Sequence, residues 1–361
     1  MNADLATQVV RWQATFGRHH LPWQNTTDPY RVWLSEIMLQ QTQVITVLDY
    51  FPRFLARFPD VRSLALAQLD EVLSLWSGLG YYSRARNLHA CAVQVVALHG
   101  GEFPRAAQAL TTLPGIGRST AAAIASLCFG ERAAILDGNV KRVLTRFLGF
   151  GEDLAKAANE RALWELATQV LPVQDLQRSM PRYTQGMMDL GATVCLSKKP
   201  ICPNCPVVLS CRAHAEGAPQ KYPVKTRKLK RSTQSIWMLW AQTPLGAVWL
   251  SRRPTPGVWA GLYCFDLFDS REALESAVPI EYRPALEDEA VVPHVLTHKD
   301  LFLHPVRLNL PAGALTSPIG DRFAGAWFTA EQWPGLGLPA PVRKLLLRNA
   351  QIAMPLERAP L

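Results

Sequence analysis

Across the first 215 residues, apolar side chains recur three and four positions apart, the interval at which one face of an α-helix turns inward. The stripe runs through Tyr30 to Phe51, Val61 to Ser77, Arg84 to His99, Ser119 to Phe129, Val140 to Leu148, Ala155 to Val170 and Pro181 to Val194. Between them lie helix-ending residues: Gly78 and Gly80, Gly100 and Gly101, Pro114 to Gly117, Gly130, Gly149 and Gly151. No stretch here alternates with period two, so residues 1–215 predict an all-α domain. After residue 231 the texture changes. Ile236 to Ala241, Val248 to Ser251 and Leu262 to Leu267 are short, β-branched or aromatic, and separated by turn residues at Pro244 to Gly246 and Pro254 to Gly257. With helical patterns over Arg271 to Val278 and Pro341 to Asn349, residues 232–361 predict a smaller α+β domain. Residues 216–231 read as a linker between the two.

Composition narrows the classes. The chain has 361 residues, 48% of them hydrophobic and 19% charged, which excludes a disordered chain and supplies real cores. No run approaches about 18 uninterrupted apolar residues, so no membrane span is expected. The N-terminus lacks the apolar stretch of a secretory signal, so the expected compartment is cytoplasmic and the cysteines are expected reduced.

Charge is unevenly placed. The net charge is +9, with 21 basic and 16 acidic residues in 1–215, six and one in 216–231, and 11 and 12 in 232–361. The excess thus falls on the helical part and on Lys221 to Arg231, which suits a polyanion such as nucleic acid or simply a solvated surface.

Four of the seven cysteines fall within 17 residues: Cys195, Cys202, Cys205 and Cys211. Four thiolates so close in sequence can complete one tetrahedral metal centre or one cubane cluster. Only the central pair has the tight spacing of zinc sites, so a [4Fe-4S] cluster fits better than zinc. The loop's Lys198, Lys199 and Arg212 suit phosphate contact or neutralisation of the thiolates. Cys91, Cys128 and Cys264 lie singly in apolar surroundings and read as buried thiols.

Leu113 to Ser119 (LPGIGRS) sits between two predicted helices. Gly115 and Gly117 permit a tight turn, and the helix that follows opens with its amides unpaired, ready for a phosphate. The pattern is that of a helix-hairpin-helix, which grips DNA backbone without reading sequence. Asp137 and Asn139, twenty and twenty-two residues beyond Gly117, read locally as helix caps or as site residues. Glu36 lies on a largely apolar helix face, where desolvation would raise its carboxyl and suit it to general acid work; a solvated helix glutamate is the plainer alternative.

Taken together, LPWQ (21–24), WLSEIMLQQTQV (33–44), WSGLGYYSRARNL (76–88), LPGIGRSTA (113–121), ILDGNVKRV (135–143), MMDLGATVC (187–195) and the cysteine loop resemble the MutY-type adenine DNA glycosylases of the endonuclease III superfamily. The resemblance implies a helix-hairpin-helix fold with a six-helix barrel lobe and an N-terminal, cluster-bearing lobe. It also implies an enzyme that flips adenine out of an A·8-oxoguanine or A·G mispair in duplex DNA. Glu36 would then protonate adenine, Asp137 would stabilise the sugar cation, and Asn139 would assist. Gln41 and Tyr81 would wedge into the stack at the lesion, and Gly115, Gly117, Ser119 and Lys141 would hold backbone. Ser119 stands where lyase-type relatives carry a lysine nucleophile, which points to a monofunctional glycosylase leaving an abasic site.

The second domain resembles the Nudix-like domain of this family, mainly over Val248 to Asp266. It lacks the glutamate-rich, magnesium-binding helix of Nudix hydrolases, so lesion recognition is expected, with Thr297 and His298 as candidates. Leu296 replaces the family's usual phenylalanine there. His294 and His304 read as incidental surface histidines. A monomer is expected, with repair or replication factors as linker partners. The other readings are a bifunctional oxidised-pyrimidine glycosylase with lyase activity and a non-catalytic iron-sulfur DNA-binding module.

Overall fold

The computed structural model describes residues 3–226, 230–311 and 325–353. The chain divides into two compact units: Met1–Leu66 with Asn87–Lys228, and Ala67–Arg86 with Leu229–Leu361. The expected boundary between helical and α+β parts therefore has an exception. Residues 67–86, read with the helical domain, pack with the second unit.

Twelve helices precede the sheet among the described residues: α1 (Ala3–Phe16), α2 (Pro29–Leu39), α3 (Val44–Arg57), α4 (Val61–Leu66), α5 (Leu69–Leu75), α6 (Ser83–His99), α7 (Ala107–Leu110), α8 (Arg118–Phe129), α9 (Gly138–Leu148), α10 (Ala157–Gln169), α11 (Leu176–Thr193) and α12 (Arg212–Ala215). The stripe over residues 30–51 breaks into α2 and α3 at Gln40 to Gln43, a wholly polar run in which Gln41 takes a φ of 55°. The stripe over 61–77 likewise divides into α4 and α5. Each helix buries its apolar face. Trp33, Leu34, Phe51, Phe54 and Phe58 are fully buried, and a second cluster joins Leu5, Val9, Leu136, Val140, Met180 and Met187. No described helix is long and apolar enough to cross a membrane.

The segment read as a linker is anchored to the helical unit at Val224 and Thr226. The Leu154 N–H donates to Val224 O at 3.0 Å and the Thr226 N–H to Asp153 Oδ1 at 3.1 Å.

In the second unit the described strands are β1 (Ser232–Gln242), β2 (Val248–Arg252), β3 (Tyr263–Cys264), β4 (Asp266–Phe268), β5 (Leu286–Asp288), β6 (Val292–Val295), β7 (Lys299–Asn309) and β8 (Gly325–Phe328). The order β3-β2-β1-β7-β5 is extended by β4 on β1, β6 on β7 and β8 on β2. β1 and β7 run parallel from Ser232↔Lys299 to Gln242↔Asn309, and the other pairs are antiparallel. β1 is covered on both faces, as a central parallel strand requires: Met238, Leu239, Trp240 and Ala241 are all buried. Helix α13 (Arg271–Ala277) packs Leu274 on Leu239, Val306 and Leu308, and α14 (Ala340–Ala353) ends the described chain. α5 is held to this unit by Ser74 Oγ donating to Pro334 O at 2.8 Å, and the turn after it by Ser77 Oγ donating to Leu338 O at 3.1 Å.

Candidate functional site

Glu36 projects from α2, whose start is fixed by Asp28 accepting from the Tyr30 N–H at 2.9 Å with Pro29 in the first turn. Val32, Trp33, Leu34, Ile37 and Met38 of the same helix are buried. Glu36 itself is half-buried among them. Desolvation, with the negative charge of Asp137 adding to it, lifts its carboxyl from an ordinary 4.5 to about 7. That places its proton in the range where general acids work near neutrality.

Asp137 caps α9, accepting from the Val140 N–H at 2.7 Å. Burial raises its carboxyl too, opposed by backbone hydrogen bonds from Val140 and Asn139 and by the charges of Arg142 and Lys141. The cap reading of Asp137 holds, and its charge bears on Glu36 as well. Asn139 is half-buried and accepts from Arg142 Nη2 at 2.8 Å. The approach is close: a Cβ on Gly191 of α11 would lie 2.6 Å from Asn139 Cβ.

The hairpin is built as its glycines imply. Gly115 has a φ of +75°, and a Cβ there would lie 2.7 Å from Asn87 Cβ. Gly117 caps α8, and a Cβ there would meet nothing within 4 Å, so its surface is open to a ligand. Ser119 Oγ accepts from the Leu136 N–H at 3.0 Å, tying the hairpin helix to the residue before Asp137. Lys141 is engaged in an ion pair with Glu160. Gln41 is exposed, and it shares positive φ with Tyr81, at 55° and 48°. Non-glycine residues rarely adopt this conformation except where the surroundings enforce it.

A cavity of the helical unit is lined in part by Trp23, Gln24, Val32, Leu127, Gln177 and Gln185. Val32 is one helical turn before Glu36. Gln24 contributes both amide atoms, buried and without a hydrogen-bond partner. A buried donor and acceptor left open together suit a flat polar ligand with a matching edge. Nothing in the LPWQ segment of the sequence distinguishes Gln24 as open.

The four cluster cysteines border one cavity, with Arg146, Val194 and Val207 among its other walls. The Cys205 thiol is pushed up to about 12 by burial and also by the neighbouring Cys195, Cys211 and Cys202. Ligand binding there must displace protons. Among the described residues, no three or more His, Cys, Asp or Glu side chains converge closely enough to hold a single metal ion. Four thiols spread around one cavity suit a polynuclear group bound through sulfur better than one tetrahedral ion.

Arg146, 2% exposed, organises this loop. It donates to Leu196 O at 2.6 Å, Ser197 O at 2.8 Å, Pro219 O at 2.8 Å and Cys195 Sγ at 3.4 Å. Arg142, one turn earlier on α9, donates to Cys195 O at 2.8 Å and Gly191 O at 2.7 Å. Neither arginine stood out in the sequence, because a basic residue on an amphipathic helix ordinarily faces water. Cys91 and Cys264 are buried as expected, whereas Cys128 is half-buried with its thiol pushed up to about 12.

In the second unit, Thr297 and His298 are exposed at the turn from β6 to β7, and the Tyr81 hydroxyl hydrogen-bonds to Thr297 Oγ1. His294 and His304 are not incidental surface residues. His304 stacks on Trp237 with centroids 4.5 Å apart, and the His294 ring lies 5.8 Å from that of Trp259.

Residues 34–169 match the HhH-GPD superfamily base excision DNA repair protein family, and residues 236–348 match the NUDIX domain family. The chain is 36% identical over 342 residues to the adenine DNA glycosylase of Buchnera aphidicola subsp. Acyrthosiphon pisum, covering 94% of this chain and 95% of that protein. It is 46% identical over 206 residues to the adenine DNA glycosylase of Mus musculus, covering 55% of this chain and 39% of that one. Among solved structures it resembles a thermostable thymine-DNA glycosylase, with a TM-score of 0.52, 28% identity, and coverage of 60% of this chain and 97% of that one.

Proposed function

The chain belongs to the adenine DNA glycosylases, enzymes of base-excision repair, and from that premise we propose that it removes adenine mispaired with 8-oxoguanine or guanine and leaves an abasic site. The observation that carries this reading is the Glu36 carboxyl, lifted to about 7 beside the Asp137 charge. The flipped adenine occupies the cavity walled by Trp23 and Gln24, where the open amide of Gln24 pairs with the polar edge of the base. Glu36 gives its proton to a ring nitrogen of adenine as the bond from that base to C1′ breaks. The electrons of that bond leave with the base, which departs neutral. Asp137, anionic and fixed by its cap, stabilises the cationic sugar. Water then adds its hydroxyl to C1′, and its proton returns to the site carboxylate. Ser119, bonded to the Leu136 N–H, supplies no amine for an imine route, so the product keeps its strand intact.

Cys195, Cys202, Cys205 and Cys211 hold a [4Fe-4S] cluster in this reading. When bound, the cluster supplies a rigid anchor for the loop that Arg142 and Arg146 join to α9, rather than a step in base release. Thr297 and His298, with Tyr81, face the base opposite adenine. Gln41 enters the stack on the helical side.

One experiment tests the reading. The protein is incubated with A·8-oxoguanine, A·G and A·T duplexes, and free adenine and strand scission are measured. Adenine released from the first two without scission is expected. Release from A·T at the same rate overturns the mispair assignment, and efficient borohydride trapping of a covalent adduct overturns the monofunctional one.

A further inference from the structure

The hairpin is flanked by a cleft that the catalytic reading leaves unused. It is lined by Arg118, Arg132, Arg161, Trp164, Glu165 and Thr168, together with Gln169. Arg118 is the first residue of α8, directly after Gly117, and its guanidinium carbon lies 4.0 Å from the Trp164 ring centroid. Contact through the guanidinium face leaves its edge of N–H donors directed elsewhere. Arg132 is braced by donating to Pro172 O at 2.9 Å and Thr168 O at 3.0 Å, so its head is held rather than swept through solvent. Arg161, Trp164, Glu165 and Thr168 fall three and four residues apart on α10 and therefore share one face. Arg161 is exposed there. Three guanidinium groups thus meet one carboxylate in the cleft.

An ordinary solvated helix face interleaves charges of both signs. Here positive charge is concentrated, one arginine is stacked on an aromatic ring and another is fixed by two carbonyls. The planar donor fork of arginine matches phosphate oxygens. Arg118 belongs to both the hairpin and the cleft, so a strand gripped at Gly115 to Ser119 meets the cleft without a gap.

We propose that this cleft is a second phosphate-binding site, which holds the sugar-phosphate backbone of the duplex flank next to the phosphate on the hairpin. The inference rests on the reading that the hairpin grips the substrate duplex. It deepens that reading by assigning the flank its own subsite, one that reads charge and not sequence. Each phosphate neutralised releases counterions and contributes about 0.9 to the slope of log affinity against log salt.

The test uses the full-length protein with Arg161→Gln, Arg161→Glu and Trp164→Leu, each checked for an unchanged melting temperature. Affinity is measured against salt on a long mispaired duplex and on one shortened so that the flank ends at the hairpin. Expected for Arg161→Gln is a loss of about 3-fold to 10-fold on the long duplex, with the salt slope reduced by about 0.9. Arg161→Glu loses more, and Trp164→Leu loses affinity because Arg118 is no longer stacked. The short duplex shows no change, and adenine release at saturating enzyme is unaltered. Unchanged salt slopes, or equal losses on both duplexes, overturn the site. Failure of the wild-type protein to release adenine would instead count against the excision reading, while the slope comparison would still decide the cleft.

Discussion

Replacing Glu36 by glutamine separates the stability of this protein from its activity in a way that depends on pH. The carboxyl is held at about 7 rather than 4.5, so the folded protein binds this proton more tightly than the unfolded chain does. The difference corresponds to about 3 kcal/mol, at 1.36 kcal/mol per pH unit. This is an upper value, since Glu36 is half-buried and keeps part of its water. The sign follows from the direction. A raised acid contributes stability that is fully present below pH 4.5 and is lost as pH rises through about 7. Above that, the folded state carries an ionised carboxylate in apolar surroundings near Asp137. Glutamine has nearly the same shape and does not titrate. Relative to the wild type, Glu36→Gln should therefore gain up to about 3 kcal/mol between pH 4.5 and pH 8. Urea denaturation across that range measures the gain, and adenine release should be abolished at every pH while mispair binding persists. A stability difference that stays flat across the range would refute the reasoning, because Glu36 would then be an ordinary solvated glutamate. The wild type supplies a companion signature: single-turnover adenine release should fall as pH rises above about 7, when Glu36 no longer holds its proton.

Asp137→Asn keeps a side chain that caps helices well, so the fold should survive, while adenine release falls by at least about 100-fold. The descending limb of any residual pH profile should move to lower pH, because the charge that lifts Glu36 is gone; an unmoved limb would disconnect the two carboxyls. Arg146→Gln removes buried donors from the carbonyls of the cysteine loop and should destabilise that loop by about 2–4 kcal/mol. Iron analysis and absorbance near 400 nm are expected to show sub-stoichiometric cluster, and full iron content would contradict the loop's dependence on Arg146. Gly115→Ala places a Cβ at a φ of +75° against Asn87, and should cost about 1–3 kcal/mol and weaken binding to mispaired and fully paired duplexes alike. Thr297→Val retains shape but removes the hydroxyl that meets Tyr81. Preference for A·8-oxoguanine over A·G in competition assays should then decline, and equal discrimination would remove Thr297 from lesion recognition.

Local pattern and tertiary context divided the legible from the illegible. Glu36 could be singled out because a carboxyl on a helix face of Val32, Trp33 and Leu39 breaks an apolar stripe, and the hairpin because the full LPGIG falls between two helical stripes. The positive φ of Gln41 and Tyr81 had no local sign, since a non-glycine residue enters that region only when its surroundings impose it. β7 was invisible for a different reason. Lys299, Asp300, His304 and Pro305 interrupt its alternation, and it becomes a strand by pairing along its whole length with β1. Residues 67–86 carried helical signals as clear as their neighbours, yet their hydrogen-bond acceptors, Pro334 and Leu338, lie more than 250 positions away. Amphipathic period reports which face of a helix is covered, not what covers it.

The assignment of roles to the two carboxyls also follows from what surrounds each one. Both are raised by loss of water, but the opposing influences differ. Asp137 sits at the N-terminus of α9, where two backbone N–H groups and the charges of Arg142 and Lys141 favour its ionised form. Glu36 lies in the last turn of α2, with no helix N-terminus to favour its ionised form, and the charge beside it is the like charge of Asp137. Two acids placed so unequally do not compete evenly for one proton. Near neutrality the anion resides on Asp137 and the proton on Glu36, and the cap that looked like a bland alternative to catalysis is what secures this division. A helix N-terminus in the same place without Glu36 opposite it would offer only an anion. Glu36 without the capped aspartate would lose part of the field that keeps it protonated.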